Sequence, residues 1–337
     1  MADVAARAGV SVATVSRALS RDRKQVSAPV LQRIIDAAEE LEYIPNNLAR
    51  NMRSGTTRIL GLVISDIGNP FFTAVARGAE DVAQQHGYSL VLSNTDENPE
   101  REAASLGVMA AERAAGVIIA TTNENGTALS RFRDLGMAIV AIDRHISDFP
   151  TDSVVVDNES AAYEAVTHLV RLGHRRIAIV GGPSDADTAR ERQRGYERAL
   201  REARIPVHPE LVCKGDFREV SGLTMTRCLL DLPDPPSAIF AVNNLTTIGV
   251  LGALRERGVE MPSTISIVGF DDIPTGELLD PPLTVVQQPT YRVGTRAAKL
   301  LIRRLHEPTA PIQEVVLEAS LIVRGSTGPF QTPQEAP

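Results

Sequence analysis

The sequence predicts an α/β protein, with a small all-helical head followed by two lobes that are each a doubly wound parallel sheet. Three observations carry this reading. The first 58 residues hold helix-period runs and no strand-like run, whereas from Arg58 onward short β-rich runs alternate with helical ones. Strand-then-helix alternation implies parallel sheets with helices on both faces. Eight or more such units fit two lobes better than one oversized sheet, because single cores stop growing near roughly 250–300 residues.

Composition narrows the class further. Hydrophobic residues make up 43% of the 337 and charged residues 23%, as in ordinary globular proteins. No run approaches the roughly 20 apolar residues of a membrane span, and the N-terminus lacks an export signal, which points to the cytoplasm. Cys213 and Cys228 are the only cysteines, so a disulfide framework or four-thiolate zinc site is excluded, and both read as small buried residues. Nine basic residues face six acidic ones through Arg58, against 26 basic and 36 acidic after it. A basic head on an acidic body suggests a nucleic-acid-binding module joined to something with another task.

In the head, Asp3–Ala8 reads as a short helix closed by Gly9, and Ser11 caps a second helix from Val12 through Leu19. Helical periodicity puts Val15, Ala18 and Leu19 on the inner face, leaving Val12, Ala13, Ser16 and Arg17 outward. A third helix, Ala28–Leu41, has Ser27 as its cap and Val30, Ile34, Ala38 and Leu41 as its apolar stripe. Two short helices around a tight glycine turn, followed by a third, form a helix-turn-helix head whose second helix enters the major groove.

In the body, one strand series is Ile59–Ser65, Tyr88–Ser93, Gly116–Ala120 and Ala138–Ile142, with Ser153–Val156 behind it. The second is Ile177–Gly181, Ser237–Val242, Ile265–Gly269 and Thr284–Gln287. Helical runs between them include Pro70–Gln85, Ser160–Leu172, Arg192–Ala203 and Tyr291–Leu305. Ligands of such folds bind beyond the carboxyl ends of the strands, where the lobes face each other. Asn69 caps a helix starting at Pro70, which puts Phe71 and Phe72 at that mouth, with Phe72 expected as cleft wall and Phe71 packed. Asp143, Asp157, Asn243 and Asp271 each follow a strand and are cleft candidates, although Asp157 could equally cap a helix. His174 reads as structural.

The runs Asp3-Val4-Ala5, Ala8-Gly9-Val10-Ser11 and Thr14-Val15-Ser16-Arg17, with Tyr43-Ile44-Pro45-Asn46, resemble the lactose/galactose-repressor (LacI/GalR) family of bacterial transcription factors. Asn69-Pro70-Phe71-Phe72, Gly173-His174-Arg175-Arg176-Ile177, Gly181-Gly182-Pro183 and Gly269-Phe270-Asp271-Asp272 extend the resemblance through almost the whole chain. It implies a body like periplasmic binding proteins and a small effector, often a sugar or nucleobase, with the polar cleft residues favouring a small polar effector that is a sugar or sugar derivative. It makes Val12, Ala13 and Arg17 base readers, with Arg17 able to bond guanine O6 and N7 together or to reach phosphate. Thr14, Ser16 and Asn46 become phosphate or groove contacts. It also makes the segment after Pro45 a hinge helix bearing Asn46, Ala49 and Met52. Eight residues are too few for a stable isolated helix, so DNA and a second copy should order it. Met52 stands where the family has a leucine wedge, and either wedges base pairs apart or packs the paired hinges. Thr188, Arg192 and Phe217 join the cleft by the same resemblance. Met1-Ala2 replaces a family segment with a capping threonine, so the first helix is expected to fray or the natural start to lie upstream. Asn243-Asn244 replaces the usual Asn-Asp.

The expected domains are 1–44 (head), 45–58 (hinge) and 59–327 (body), with 328–337 as a flexible tail. The body divides into an N-lobe of 59–157 plus 288–318 and a C-lobe of 158–287 plus 319–327. A tail without leucine patterning suggests a homodimer, which implies a near-palindromic double-stranded operator. No catalytic constellation, metal site or cofactor motif is found, which disfavours an enzyme. A solute-binding protein of transport would need an export signal and no head.

Overall fold

The computed structural model describes residues 1–19, 26–43, 57–122 and 126–331. The chain forms two compact units, Met1–Thr57 and Arg58–Pro337.

In the first unit, helices α1 (Ala2–Ala8), α2 (Val12–Ala18) and α3 (Ala28–Glu40) enclose a small core of Val4, Val15, Ala18 and Ile34. Gly9 adopts φ 66, and its N–H reaches back to Ala5 and Ala6 carbonyls, closing α1. The Ser11 hydroxyl accepts from Thr14 N, capping α2. Two expectations for α3 fail. Ser27 occupies the cap position, but its side chain makes no capping bond. Leu41 is exposed because the helix ends at Glu40 and the chain turns away there, and Ala37 fills the inner stripe instead. Met1 provides no side-chain cap for α1.

The second unit contains two six-stranded sheets. The first has the order β11-β5-β4-β3-β1-β2, from Glu314–Leu317, Asp152–Val156, Ala138–Ile142, Gly116–Ile119, Ile59–Ile64 and Ser89–Asn94. The second has the order β12-β10-β9-β8-β6-β7, from Ser320–Ile322, Thr284–Gln287, Ser266–Phe270, Ala238–Ala241, Ile177–Val180 and Val212–Cys213. All pairs are parallel except β10–β12. The segment Glu314–Ile322 thus gives one strand to each sheet, and the chain passes between the lobes after β5, after β10 and after β11.

Each sheet is buried on both faces, which is why its central strands are continuous apolar runs rather than alternating ones. Helices α4 (Pro70–Gln85) and α11 (Thr290–His306) cover one face of the first sheet, and α5 (Pro99–Ala111) and α6 (Thr127–Asp134) the other. The second sheet lies between α7 (Asn158–Arg171) with α8 (Asp187–Glu202) and α9 (Glu219–Leu230) with α10 (Asn244–Arg257). Helices α4 and α11 approach so closely that a Cβ on Gly294 would lie 2.0 Å from the Val75 carbonyl oxygen.

Other differences from expectation have local causes. Helix α8 starts at Asp187 rather than Arg192, with no side-chain cap, and the Asp187 carboxylate accepts Thr188 N in its first turn. The tail is fixed through residue 330, since Gly328 O accepts from His174 and Phe330 N donates to Leu172 O. His174 also meets the Ser237 and Ser266 hydroxyls, a structural role. Cys228 is exposed and Cys213 half-buried, so neither is a core residue.

Candidate functional site

On α2, burial of Val15 and Ala18 turns Val12, Ala13 and Arg17 outward to solvent. Arg17 lies one turn beyond Ala13, its Nε donating to the Ala13 carbonyl at 3.4 Å. Ser16 is half-buried, and the half-buried Thr14 hydroxyl sits 2.8 Å from Ser11 Oγ, which ties it to the cap. Asn46, Ala49 and Met52 lie outside the described residues.

In the second unit, a cleft opens at the carboxyl ends of the strands of both sheets, as doubly wound topology demands. From the N-lobe, Asn69 caps α4 by accepting Phe71 N at 2.9 Å. Phe71 and Phe72 stack edge to face, with centroids 4.9 Å apart. Both line the cleft, so the expected division into one wall residue and one core residue is wrong. Asp143 follows β4. From the C-lobe come Thr188 and Arg192 of α8, Phe217 before α9, Asn243 after β8 and Asp271 after β9. The Asn243 side chain caps α10 and donates to Phe217 O at 2.9 Å. Three of these residues hold a left-handed backbone, at φ 68 for Asp143, 66 for Phe217 and 66 for Asp271. For side chains other than glycine such geometry is costly, and it concentrates at functional positions.

Asp157 is not in the cleft. Helix α7 begins at the next residue, so its free first-turn N–H groups capture the carboxylate, and Asp157 accepts from Ser160 N at 2.9 Å on the surface.

The electrostatic centre is Arg192, which is only 3% exposed. Its Nε donates to Asn158 Oδ1 at 2.9 Å and one Nη to Val242 O at 2.6 Å, and the guanidinium lies 3.8 Å from the Phe270 ring centroid. Burial lowers its pKa, and the Asp271 and Asp143 charges oppose this. Burial pushes the Asp143 carboxyl up to about 6, held back by Arg144 and Arg192. Asp271 is also raised by burial, against the pull of Arg192 and a 2.6 Å bond from Gln288 Nε2. The site can therefore offer fixed acceptors and a buried cation to a polar ligand between aromatic walls.

The cleft leaves about 510 Å³ unfilled by atoms and partly open to solvent, but the centre of a water molecule can reach only about 50 Å³ of it. The second figure is the one comparable with ligand pockets of roughly 300–1,000 Å³ and falls well below them, so side chains are drawn in around the space and must move apart to admit a ligand. Among the described residues, polar contacts join the lobes across the cleft, including Arg218–Asp66 at 3.6 Å. Arg218 meets Asp96 at 2.8 Å, Asp187 accepts His145 N at 2.7 Å, and Asn244 donates to Asn69 at 2.8 Å.

Residues 1–46 match the bacterial regulatory proteins of the lacI family, and residues 166–327 match a periplasmic binding protein-like domain. The chain is 33% identical to the HTH-type transcriptional repressor CytR of Escherichia coli (strain K12), over 97% of this chain and 96% of the relative. The chain belongs to the lacI family. A lac repressor dimer bound to operator and the anti-inducer ONPF superposes with a TM-score of 0.85, at 28% identity, covering 97% of this chain and 98% of that one. A lacI-family regulator of Enterococcus faecium with bound ribose superposes with a TM-score of 0.74, at 30% identity, covering 81% of this chain and all of that one. This lacI-family chain is a sequence-specific DNA-binding transcriptional regulator with a periplasmic-binding-protein-like body.

The family's cleft in this chain contains residues that sequence reasoning missed. Gln288 directly follows β10 and Arg144 is the second residue beyond β4, so the strand-end rule that found Asp143 and Asp271 also reaches them. Asp66, the second residue beyond β1, is reached by the same rule, whereas Glu97, Asp216 and Arg218 come from irregular loops with no periodic signal. Among the described residues, no group of three or more His, Cys, Asp or Glu could hold a metal ion, and no helix is long and apolar enough to cross a membrane.

Proposed function

We propose that this regulator is a cytoplasmic homodimeric repressor, not an enzyme, whose grip on a near-palindromic operator is set by a small sugar in the interlobe cleft. The observation that carries this reading is the convergence of Arg192, Asp143, Asp271 and Asn243 on one space walled by Phe71, Phe72 and Phe217. Acceptors and a fork-shaped donor suit several hydroxyls, and aromatic walls suit the C–H face of a sugar ring. Val12, Ala13 and Arg17 read base edges, while Thr14, Ser16 and Asn46 set register on the backbone. Ala49 and Met52 belong to a hinge in the minor groove, with Met52 as wedge. Residues 1–44 form the head, 45–58 the hinge and 59–327 the body.

The effector acts by changing the angle between the lobes, which separates the two hinges and releases DNA. An effector that favours one state a hundredfold shifts the balance by about 2.7 kcal/mol, enough to bias a moderately tilted equilibrium. Removal of residues 1–58 tests the division of labour. The truncated protein should lose operator binding in gel shifts and keep its thermal stabilisation by effector. Retained operator binding would contradict the proposal.

A further inference from the structure

We propose, resting on the sugar-effector reading, that the cleft selects an uncharged, unphosphorylated sugar and rejects the phosphate ester of the same sugar. Phosphate recognition needs unengaged guanidinium or ammonium groups, or uncapped helix N-termini. This cleft contains both kinds of device, but its guanidiniums are largely engaged by its own groups and acidic side chains sit at its helix ends.

Three guanidiniums line the cleft, and among the described residues no lysine does. Arg144 donates to both Glu97 carboxylate oxygens, at 2.9 and 2.7 Å. Arg218 is held by Asp96 at 2.8 Å and Asp66 at 3.6 Å. Arg192 has Nε and one Nη engaged by Asn158 and the Val242 carbonyl.

Two helix ends at the cleft are capped from within, where Asn69 takes Phe71 N and Asn243 takes Thr246 N. Helices α8 and α9 have no side-chain cap, but each carries a carboxylate in its first turn, Asp187 and Glu219, and Asp187 takes Thr188 N. Carboxylates outnumber guanidiniums in the lining, with Asp66, Glu97, Asp143, Asp216 and Asp271 against the three arginines. A phosphate ester would add roughly two more negative charges near neutral pH. At the low effective dielectric of such a site, like charges a few ångströms apart repel by several kcal/mol.

A neutral polyol meets the opposite situation. Its hydroxyl hydrogens find acceptors in Asp143 and Asp271. Its oxygens find the second Nη of Arg192 and the Nε of Arg144, a buried donor with no hydrogen-bond partner among the described residues.

The test uses the full chain and two probes read by thermal unfolding and calorimetry. The first probe is inorganic phosphate at fixed ionic strength. The second is a panel of free aldopentoses and aldohexoses, each paired with its terminal phosphate ester. Phosphate should give no saturable stabilisation, and any sugar that binds should do so at least about 100-fold more tightly than its ester. Saturable binding of phosphate, or of an ester as tightly as its free sugar, lost in Arg192→Gln, overturns the inference. If no sugar or ester of the panel binds and phosphate is inert, the sugar-effector reading fails while anion exclusion stands.

Discussion

Asp143 and Arg17 carry the sharpest single-residue expectations. An effector hydroxyl bonded to Asp143 requires the ionised carboxyl, whose pKa burial has pushed up to about 6 from 3.8. A raised carboxyl pKa penalises the folded state above that value and relieves the penalty as pH falls between about 6 and 3.8. Acid therefore helps the empty body through this group and weakens the bound one. Effector affinity measured by calorimetry should fall about tenfold per pH unit below about 6, and Asp143→Asn should bind weakly with a flat profile. An unchanged affinity down to pH 5 in the unsubstituted protein would remove Asp143 from the site. Arg17 is exposed and contributes nothing to the head's core, so Arg17→Ala should leave the helical circular dichroism intact. Operator affinity should drop by about 1–3 kcal/mol, roughly 5- to 150-fold, if Arg17 bonds a guanine. An equal loss on every base substitution at its contact position would instead indicate a phosphate contact.

At the scale of elements, the α4–α11 pair shows how competing magnitudes decide an outcome. Replacing Gly294 by alanine gains about 1 kcal/mol of helix propensity. The new Cβ, however, would sit 2.0 Å from the Val75 carbonyl oxygen, and backbone in a packed pair cannot step aside. Overpacking of this kind costs about 1–3 kcal/mol and more when backbone must shift, so Gly294→Ala should lower the urea midpoint of the body. A raised midpoint would mean the two helices pack more loosely than described. Elements also show where sequence pattern stops informing. Strands β4 and β10 were legible to the residue, β4 because a buried parallel strand is an unbroken apolar run and β10 from a short β-branched run, Thr284-Val285-Val286. Strands β11 and β12 were not, because their apolar residues, Val315–Leu317 and Leu321-Ile322, lie in short, half-exposed pieces of four and three residues with no helix between them. Asp143 and Asp157 follow strands in the same way, yet only the first faces the cleft. What separates them is local backbone, since Asp143 itself adopts a left-handed turn whereas Asp157 is the cap of a helix that starts at the next residue. Arg144, one residue on from Asp143, was within reach of the same rule. Glu97 and Arg218 were not, because they sit in irregular loops away from the first residues after a strand.

At the scale of the whole molecule, the claim is that occupancy of a cleft in the body controls DNA binding by the head. The lobes touch through exposed or half-exposed polar contacts such as Arg218–Asp96, and surface ion pairs contribute only about 0–1 kcal/mol each. Such contacts leave the angle between the lobes open to bias by a ligand of ordinary affinity. The most direct measurement is fluorescence anisotropy of a genomic fragment selected by the protein itself, titrated with and without the sugar that stabilises the body. The account predicts that saturating sugar weakens binding of the unsubstituted protein at least about tenfold, a coupling of about 1.4 kcal/mol, and that Asp271→Asn binds the fragment as well but no longer responds. Operator affinity unmoved by a sugar that demonstrably fills the cleft would contradict it.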